Sequence, residues 1–318
     1  MTLDEIKRKI NEAQDILIVT HESPDGDAIG SSLAMNLVLK KLGKNVDVVI
    51  PKCPKAYKFL PSSEDIKLEG RDDKPYDLAI ALDCADLQRL NGFAKWFEDA
   101  KVKISIDHHQ SNKMFADYNY VDPVAPACAQ ILITIINSLG VEMDKEIGTC
   151  IIAGIITDTG GFKYESVTAE TFEFAARLLN TGVNISDTYK KLFQNRTISN
   201  FKLSKLVMDR MEFLENGRIA FSYITLKDEE EVEAQSGDHE GLVDIGKEIE
   251  GVEVSVFLRE KEKGFKVSLR ANNYVNVSDV CMVFGGGGHP RAAGCTIQLP
   301  LEQAKERIIS YIKPKLKD

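Results

Sequence analysis

Basic charge, cysteine, long apolar runs and histidine are all scarce in this 318-residue sequence, and each scarcity removes a class of protein. Lys and Arg number 40 against 49 Asp and Glu, a net charge of −9. That balance argues against a general nucleic-acid coat protein, because non-specific affinity for a phosphate backbone needs an excess of cationic contacts. It leaves a phosphate substrate open, since bound metal ions can reverse the local field. The six cysteines (Cys53, Cys84, Cys128, Cys150, Cys281, Cys295) show no CxxC or ribbon spacing. A disulfide framework or structural zinc is therefore not expected, and reduced, mostly buried thiols are. No apolar run approaches the roughly 20 residues of a membrane span. The opening Met1-Thr2-Leu3-Asp4-Glu5-Ile6-Lys7 is charged and amphipathic, unlike a signal peptide, so a cytoplasmic protein with no membrane partner is expected. With only five histidines, an adjacent pair arises by chance in about one such chain in sixteen, and His108-His109 is one.

What is present is ordinary globular material: 43% hydrophobic and 28% charged residues, in a chain long enough for two cores. The histidine pair stands in Asp107-His108-His109, which closes the apolar run 102–106. Three other runs end alike. Residues 16–20 lead into His21-Glu22-Ser23-Pro24-Asp25-Gly26-Asp27, 78–82 into Asp83, and 151–157 into Asp158. In an open parallel sheet, ligands bind outside the carboxyl ends of the strands, so these endings can converge on one crevice.

Periodicity supports such a sheet. Leu3, Ile6, Ile10 and Ala13 mark a helix over 3–13, followed by a strand at 16–20, a helix over 29–42 capped at Gly43, and a strand at 46–50 closed by Pro51. Short connections of this kind favour parallel strands with right-handed crossovers. Residues 51–75 are irregular, with Lys52, Lys55, Lys58 and Arg71 on loops; a strand at 78–82, a helical connection at 90–99 and a strand at 102–106 complete the alternation. Helices follow at 127–139, 145–157 and 168–179, the second apolar enough to be buried with Asp158 at its end. Residues 186–210 are polar and read as a solvated helical connector. Beyond 211 come strands at 218–225, 252–259, 265–270 and 295–298, helices at 227–234 and 301–312, and an apolar segment 277–284 leading into GGGGHPRAAG at 285–294. The expected fold is α/β: a doubly wound parallel-sheet domain over 1–185, a helical linker over 186–211, and a smaller α/β domain with a mixed sheet over 212–318, the active site lying in the cleft between them.

The chemistry follows from the residue types. His21, Asp25 and Asp27 share a tight loop in which Gly26 lets two carboxylates point inward. With Asp83, His108 and Asp158 they make four carboxylates and two imidazoles, which would repel strongly without a cation. Mixed oxygen and imidazole ligation suits manganese, with magnesium, cobalt or zinc as alternatives. Two such ions about 3.5 to 4 Å apart clamp the attacking and leaving oxygens of a phosphoryl displacement. Asp83 is the candidate bridging carboxylate, and His109 the candidate for stabilising charge on the phosphate. Asp107 is expected to orient His108 as its hydrogen-bond acceptor. Taken singly, a strand-ending Asp caps a helix or closes a turn more often than it binds a metal, and only the joint occurrence favours a metal centre. The glycine run is either a flexible turn or an anion nest with charge from His289 and Arg291, which Arg270 joins if it is not simply a solvated arginine.

On these motifs the sequence resembles the DHH phosphoesterases that carry a DHH-associated C-terminal domain, most closely the stand-alone nanoRNase and 3′-phosphoadenosine 5′-phosphate phosphatase subgroup. The resemblance spans the whole chain and rests on 20–27, Asp83, Asp107-His108-His109, Asp158 and 285–294. It implies two divalent ions, manganese first with magnesium or cobalt as alternatives, one on His21, Asp25 and Asp83 and the other on Asp27, Asp83, His108 and Asp158. It implies that Arg270, Gly287, Gly288, His289 and Arg291 hold a terminal nucleotide, beside the catalytic residues His109, Asp83 and Asp107 already read from the residue types. The implied activity is hydrolysis of di- to pentanucleotides such as pApA to nucleoside 5′-monophosphates, and of 3′-phosphoadenosine 5′-phosphate to AMP. Long RNA and DNA would be excluded, and the protein would be a homodimer. One departure follows Asp122-Pro123, where the family shows a hydroxyl-rich segment ending in Glu and this chain has Ala125-Pro126-Ala127-Cys128-Ala129-Gln130. Any substrate or helix-capping contact from that segment is put in doubt. A cyclic di-AMP phosphodiesterase is the alternative enzyme, counted against by the lack of sensory segments. A silent nucleotide-binding regulator is the alternative of another class, and the full set of ligands counts against it.

Overall fold

A computed structural model describes residues 2–51, 53–235 and 237–317; Met1 and the expected loop cation Lys52 lie outside the described residues. Contacts divide the chain into two units, Met1–Asn195 and Arg196–Asp318. In the first, α1 (Leu3–Glu12) opens with a reciprocal cap: the Glu5 N–H donates to Thr2 Oγ1 and the Thr2 N–H to Glu5 Oε2. It buries Ile6 and Ile10. Then come β1 (Asp15–Val19), α2 (Gly26–Lys41), β2 (Asn45–Val49), β3 (Ile66–Lys67), β4 (Leu78–Leu82), α3 (Ala94–Glu98), β5 (Lys103–Asp107) and β6 (Tyr118–Val121). The six strands pair in parallel in the order β3-β2-β1-β4-β5-β6. The chain builds outward from β1 on one side, then returns to lay β4 on the other. That reversal is a topological switch point, where carboxyl-end loops splay apart and leave a crevice.

Four helices close the unit: α4 (Cys128–Leu139), α5 (Lys145–Asp158), α6 (Ala169–Leu179) and α7 (Ile185–Phe193). α2 has no exposed face along most of its length, from Gly26 to Asn36, because it is enclosed by the sheet, α4 and α5. α2 and α5 approach closely where a Cβ on Gly30 would lie 2.5 Å from the Cys150 carbonyl oxygen. Glycine is required there for clearance.

The second unit runs α8 (Ile198–Asp209), β7 (Glu212–Leu214), β8 (Ile219–Ile224), α9 (Leu226–Glu231), α10 (Asp244–Lys247), β9 (Val254–Lys261), β10 (Gly264–Ala271), α11 (Val277–Met282), β11 (Gly287–His289), β12 (Ala292–Ile297) and α12 (Leu301–Ile312). Its sheet, β11-β12-β10-β9-β8-β7, is mixed: β8 and β9 are parallel and the other pairs antiparallel. α12 lays Ala304, Ile308 and Ile312 into the core.

Several expectations need correction. The stretch 186–211 passes from one unit to the other as α7 and α8, but it is not solvated throughout, because Leu203 and Val207 of α8 are buried. Its charged residues mark only the outer faces of those helices. α2 starts at Gly26 rather than 29, since Asp25 caps it. β3 and β6 escaped the periodicity because an edge strand of two to four residues with partial burial shows little alternation. Among the described residues no helix is long and apolar enough to cross a membrane. All six cysteines are free, five of them buried.

Candidate metal centre and active site

β1 delivers His21, and the following turn ends at Asp25, whose Oδ1 accepts the N–H groups of Asp27 and Ala28, each at 3.1 Å. Asp25 is therefore a helix N-cap, as a lone aspartate usually is, and a candidate ligand as well. Gly26 has a different purpose from the one expected: its φ lies outside the left-handed region, but a Cβ there would lie 2.3 Å from Thr157 Cγ2 of α5. The glycine admits α5, and with it Asp158.

Asp27 lies inside the first turn of α2 and is fully buried. Its Oδ2 accepts the Cys128 N–H at 2.6 Å and its Oδ1 the Ala129 N–H at 2.9 Å. These are the first amides of α4, whose own N-cap, Ala127, has no side-chain hydrogen bond. Asp27 thus caps a helix a hundred residues away, and the hydroxyl-poor segment Ala125–Gln130 leaves that end satisfied. Room for the carboxylate comes from Gly154, where a Cβ would lie 2.6 Å from Asp27 Oδ1.

Asp83, the first residue past β4, has φ 52°, a left-handed conformation uncommon outside glycine and a mark of functional sites. Its carboxylate stands between three imidazoles. Oδ2 is 3.8 Å from His21 Nε2, and Oδ1 is 3.4 Å from His108 Nε2 and 3.5 Å from His109 Nδ1. His108 Nε2 also lies 3.2 Å from Asp158 Oδ2 and 4.0 Å from Asp27 Oδ2. Ligand atoms therefore gather into two groups, each within 4.8 Å: His21, Asp25, Asp83 and Asp27, His108, Asp158. A third group, Asp83, His108 and His109, overlaps both. All six residues singled out as metal ligands lie together.

The role expected of Asp107 needs correction. Its Oδ1 pairs with His109 Nδ1 at 2.7 Å, and His108 turns Nδ1 to the Ala125 carbonyl at 3.2 Å. Along an extended chain, side chains two apart share a side, so Asp107 meets His109 and only the backbone N–H of His108, at 2.8 Å. His109 also lies close to the ligands, with Nδ1 3.5 Å from Asp83 Oδ1. Asn112, unnoticed in the sequence, donates Nδ2 to Asp107 Oδ2 at 2.7 Å. Its only signal was proximity to the histidine pair.

Burial pushes the Asp27 carboxyl up to about 8, with Asp83 adding to it, and pushes Asp83 up to about 6 and Asp158 up to about 7. Burial lowers His21 to about 4. Burial would lower His108 too, but the Asp158 and Asp83 carboxylates, 3.2 and 3.4 Å from Nε2, outweigh it and raise that imidazole to about 12. Asp107 stays below its ordinary value: burial raises it, and the His109 and Asn112 hydrogen bonds more than reverse that. Three buried carboxylates crowded against one another are what a divalent cation would relieve. Asp83 Oδ1 and His21 Nδ1, buried with no hydrogen-bond partner, fit such a cation, as does the mixture of oxygen and imidazole donors.

In the second unit, Arg270 on β10 faces Ala292 across the ladder, with Nε 3.4 Å from Asp244 Oδ1. Arg291 donates from its guanidinium to the Val275 carbonyl at 2.9 Å. The glycine run is not a free turn. Gly287, Gly288 and His289 form β11 against Gly294, Ala293 and Ala292. The crowding explains two of the glycines: a Cβ on Gly286 would lie 2.2 Å from the Gly294 carbonyl oxygen, and one on Gly288 2.5 Å from that of Ala292.

The chain thus has a parallel sheet with an aspartate–histidine centre at its switch point, followed by a smaller mixed-sheet unit. Residues 15–155 match the model of the DHH family N-terminal domain and residues 216–318 that of the DHHA1 domain. The chain belongs to the DHH family. It is 38% identical over 302 residues to the bifunctional oligoribonuclease and PAP phosphatase NrnA of Thermus thermophilus, covering 95% of this chain and 90% of that protein. Identity to the Bacillus subtilis protein of the same name is 25% over 300 residues, covering 92% of each. Among solved structures, an exopolyphosphatase-related protein from Bacteroides fragilis superposes with a TM-score of 0.94 at 30% identity, covering 99% of this chain and 97% of that one.

Proposed function

We propose that this protein is a metal-dependent phosphodiesterase of the cytoplasm, a homodimer that hydrolyses di- to pentanucleotides such as pApA to nucleoside 5′-monophosphates and 3′-phosphoadenosine 5′-phosphate to AMP. The observation that carries this reading is Asp83, whose buried carboxylate stands between His21 on one side and His108 on the other. The activities for which the relatives are named support it. His21, Asp25 and Asp83 would hold one divalent ion, and Asp27, Asp83, His108 and Asp158 the other, with manganese first and magnesium or cobalt as alternatives. When bound, such ions polarise the phosphoryl oxygens and lower the pKa of water.

The remaining steps belong to the chain itself. Asp107 fixes His109 through Nδ1 and raises its pKa against the opposing effect of burial, so the ring is prepared to meet negative charge on the phosphate. Asn112 and the His108 N–H hold Asp107 in turn. Arg270, Gly287, Gly288, His289 and Arg291 take the terminal nucleotide, which makes chain ends and short strands the substrates. The net charge of −9 disfavours long strands, which offer phosphates without offering more ends.

Hydrolysis of pApA, a 5-mer RNA, a 24-mer RNA, cyclic di-AMP and 3′-phosphoadenosine 5′-phosphate, at equal concentration with Mn²⁺, tests the proposal. Fast AMP release from pApA and breakdown of the 5-mer, with the 24-mer spared, is the expected result. Cyclic di-AMP as the fastest substrate would make the protein a signalling phosphodiesterase. No turnover of any would make it a regulator.

A further inference from the structure

Glu253 is a buried carboxylate that the reaction above does not use. It precedes β9 directly and is 4% exposed. Its oxygens are occupied by amides. Oε1 accepts the N–H groups of Tyr274 at 2.7 Å and Val275 at 2.8 Å. Asn273 donates its N–H to both oxygens at 3.2 Å and its side-chain Nδ2 to Oε2 at 3.0 Å. The Glu253 carbonyl accepts the Asn272 N–H at 2.9 Å, extending the ladder one step past Ala271. Residues 272–276 form the turn between β10 and α11. Without a partner strand, its amides need an acceptor, and one carboxylate serves three successive residues.

What the turn does is visible on its other side. The Val275 carbonyl receives the Arg291 guanidinium at 2.9 Å. The Ala271 N–H donates to the Arg291 carbonyl at 3.0 Å, and the Val277 N–H to the Pro290 carbonyl at 2.9 Å, so the turn brackets the Pro290-Arg291 pair from both ends. Asn276 caps α11 through the Ser278 N–H at 3.0 Å, and Ser278 Oγ donates to the Gly288 carbonyl at 2.9 Å. An arginine side chain free to sample its rotamers gives up that freedom when ligand arrives; one already held by a fixed carbonyl has given up part of it beforehand.

We infer that Glu253 is a positioning residue for nucleotide binding: it sets the turn 273–275, which in turn aims Arg291. This rests on the reading that Arg291 holds the terminal nucleotide, and the test separates the two. In the full-length protein with Mn²⁺, kcat and KM are measured for pApA and for bis(p-nitrophenyl) phosphate, which has no nucleotide. Glu253→Ala is expected to raise the KM for pApA about tenfold, the scale of one charge-assisted contact, with kcat within about twofold and the aryl diester unaffected. Glu253→Gln, which keeps one acceptor oxygen, is expected to fall between that variant and the wild type. Arg291→Ala is the reference and should raise the same KM. If Arg291→Ala does so while both Glu253 variants keep the wild-type KM, the positioning role is overturned and the nucleotide subsite stands. If Arg291→Ala leaves KM unchanged, the subsite reading fails and the inference with it. Equal losses on both substrates would make Glu253 a support of the fold alone, which also overturns the inference. Should Glu253→Ala fail to fold, Glu253→Gln decides.

Discussion

Gly154→Ala puts the arrangement of the metal centre to a quantitative test. Gly154 lies in the interior of α5, where helix propensity by itself favours alanine by about 1 kcal/mol. The surroundings oppose it, because the added Cβ would lie 2.6 Å from Asp27 Oδ1 and 2.7 Å from the Ala129 Cβ. Neither neighbour gives easily. Asp27 is tied to two amides of α4 at 2.6 and 2.9 Å, and Ala129 moves only with the helix. Overpacking of this kind costs about 1 to 3 kcal/mol and outweighs the propensity gain, leaving a net loss of up to about 2 kcal/mol. For a unit of this size that lowers Tm by up to roughly 8 °C. The effect on turnover should be larger. A catalytic group displaced by an ångström costs on the order of a hundredfold, so kcat on bis(p-nitrophenyl) phosphate with Mn²⁺ should fall by tens- to a hundredfold. Gly30→Ala is the comparison: its Cβ would meet the Cys150 carbonyl oxygen at 2.5 Å and the Gly154 N and Cα at 3.0 and 3.3 Å, backbone of the same helix contact and not the Asp27 carboxylate oxygen, so it should lower Tm at least as much and kcat less. A Gly154→Ala protein with raised Tm and full activity would refute the claim that the ends of α2, α4 and α5 hold Asp27 in place.

Asp83→Ala should reduce turnover to background without lowering the Tm of the metal-free protein, because it deletes a buried carboxylate oxygen that has no hydrogen-bond partner; wild-type rates would sink the two-metal reading. Asp107→Asn should cut kcat roughly 10- to 100-fold by loosening His109, with Mn²⁺ affinity nearly unchanged, and loss of Mn²⁺ affinity would show that Asp107 acts through His108 after all. In the second unit, Arg210 grips Asp228 with two guanidinium nitrogens at 2.5 and 2.8 Å. Burial raises the Asp228 carboxyl, but Arg210 and Thr225 outweigh it and bring it down to about 2 from 3.8. A carboxyl lowered in the folded state adds stability above its unfolded value and loses it as pH falls through the folded one. Asp228→Asn should therefore cost about 2 kcal/mol at pH 7, and the gap to wild type should close between about pH 4 and 2. Urea titrations across that range check it, and a gap that persists at pH 2 would contradict the assignment.

Much of this protein was legible before its structure. Long buried strands such as β1, β4 and β5 announce themselves as unbroken apolar runs, since a central parallel strand is covered on both faces. The residues that end such runs must emerge at one edge of the sheet, and this is why His21, Asp83 and His108, with Asp25, Asp27 and Asp158, could be named as a group. The DHH motif and the glycine-rich stretch marked the family for the same reason: their residues sit at fixed short spacings.

Pairing between distant segments was beyond that reach. No local signal says that Asp27 caps α4, that Asp107 binds His109 and leaves His108 to the Ala125 carbonyl, or that Glu253 gathers the amides of 273–275. The glycine run became a strand because β12 stood ready to pair with it, and 186–211 became two helices because each unit had a surface to bury one against. Propensity and period act within a few residues along the chain and determine which elements form and which side chains lie at their ends. A hydrogen bond or a close approach depends on positions that exist only once those elements have packed, and the tertiary structure alone decides them.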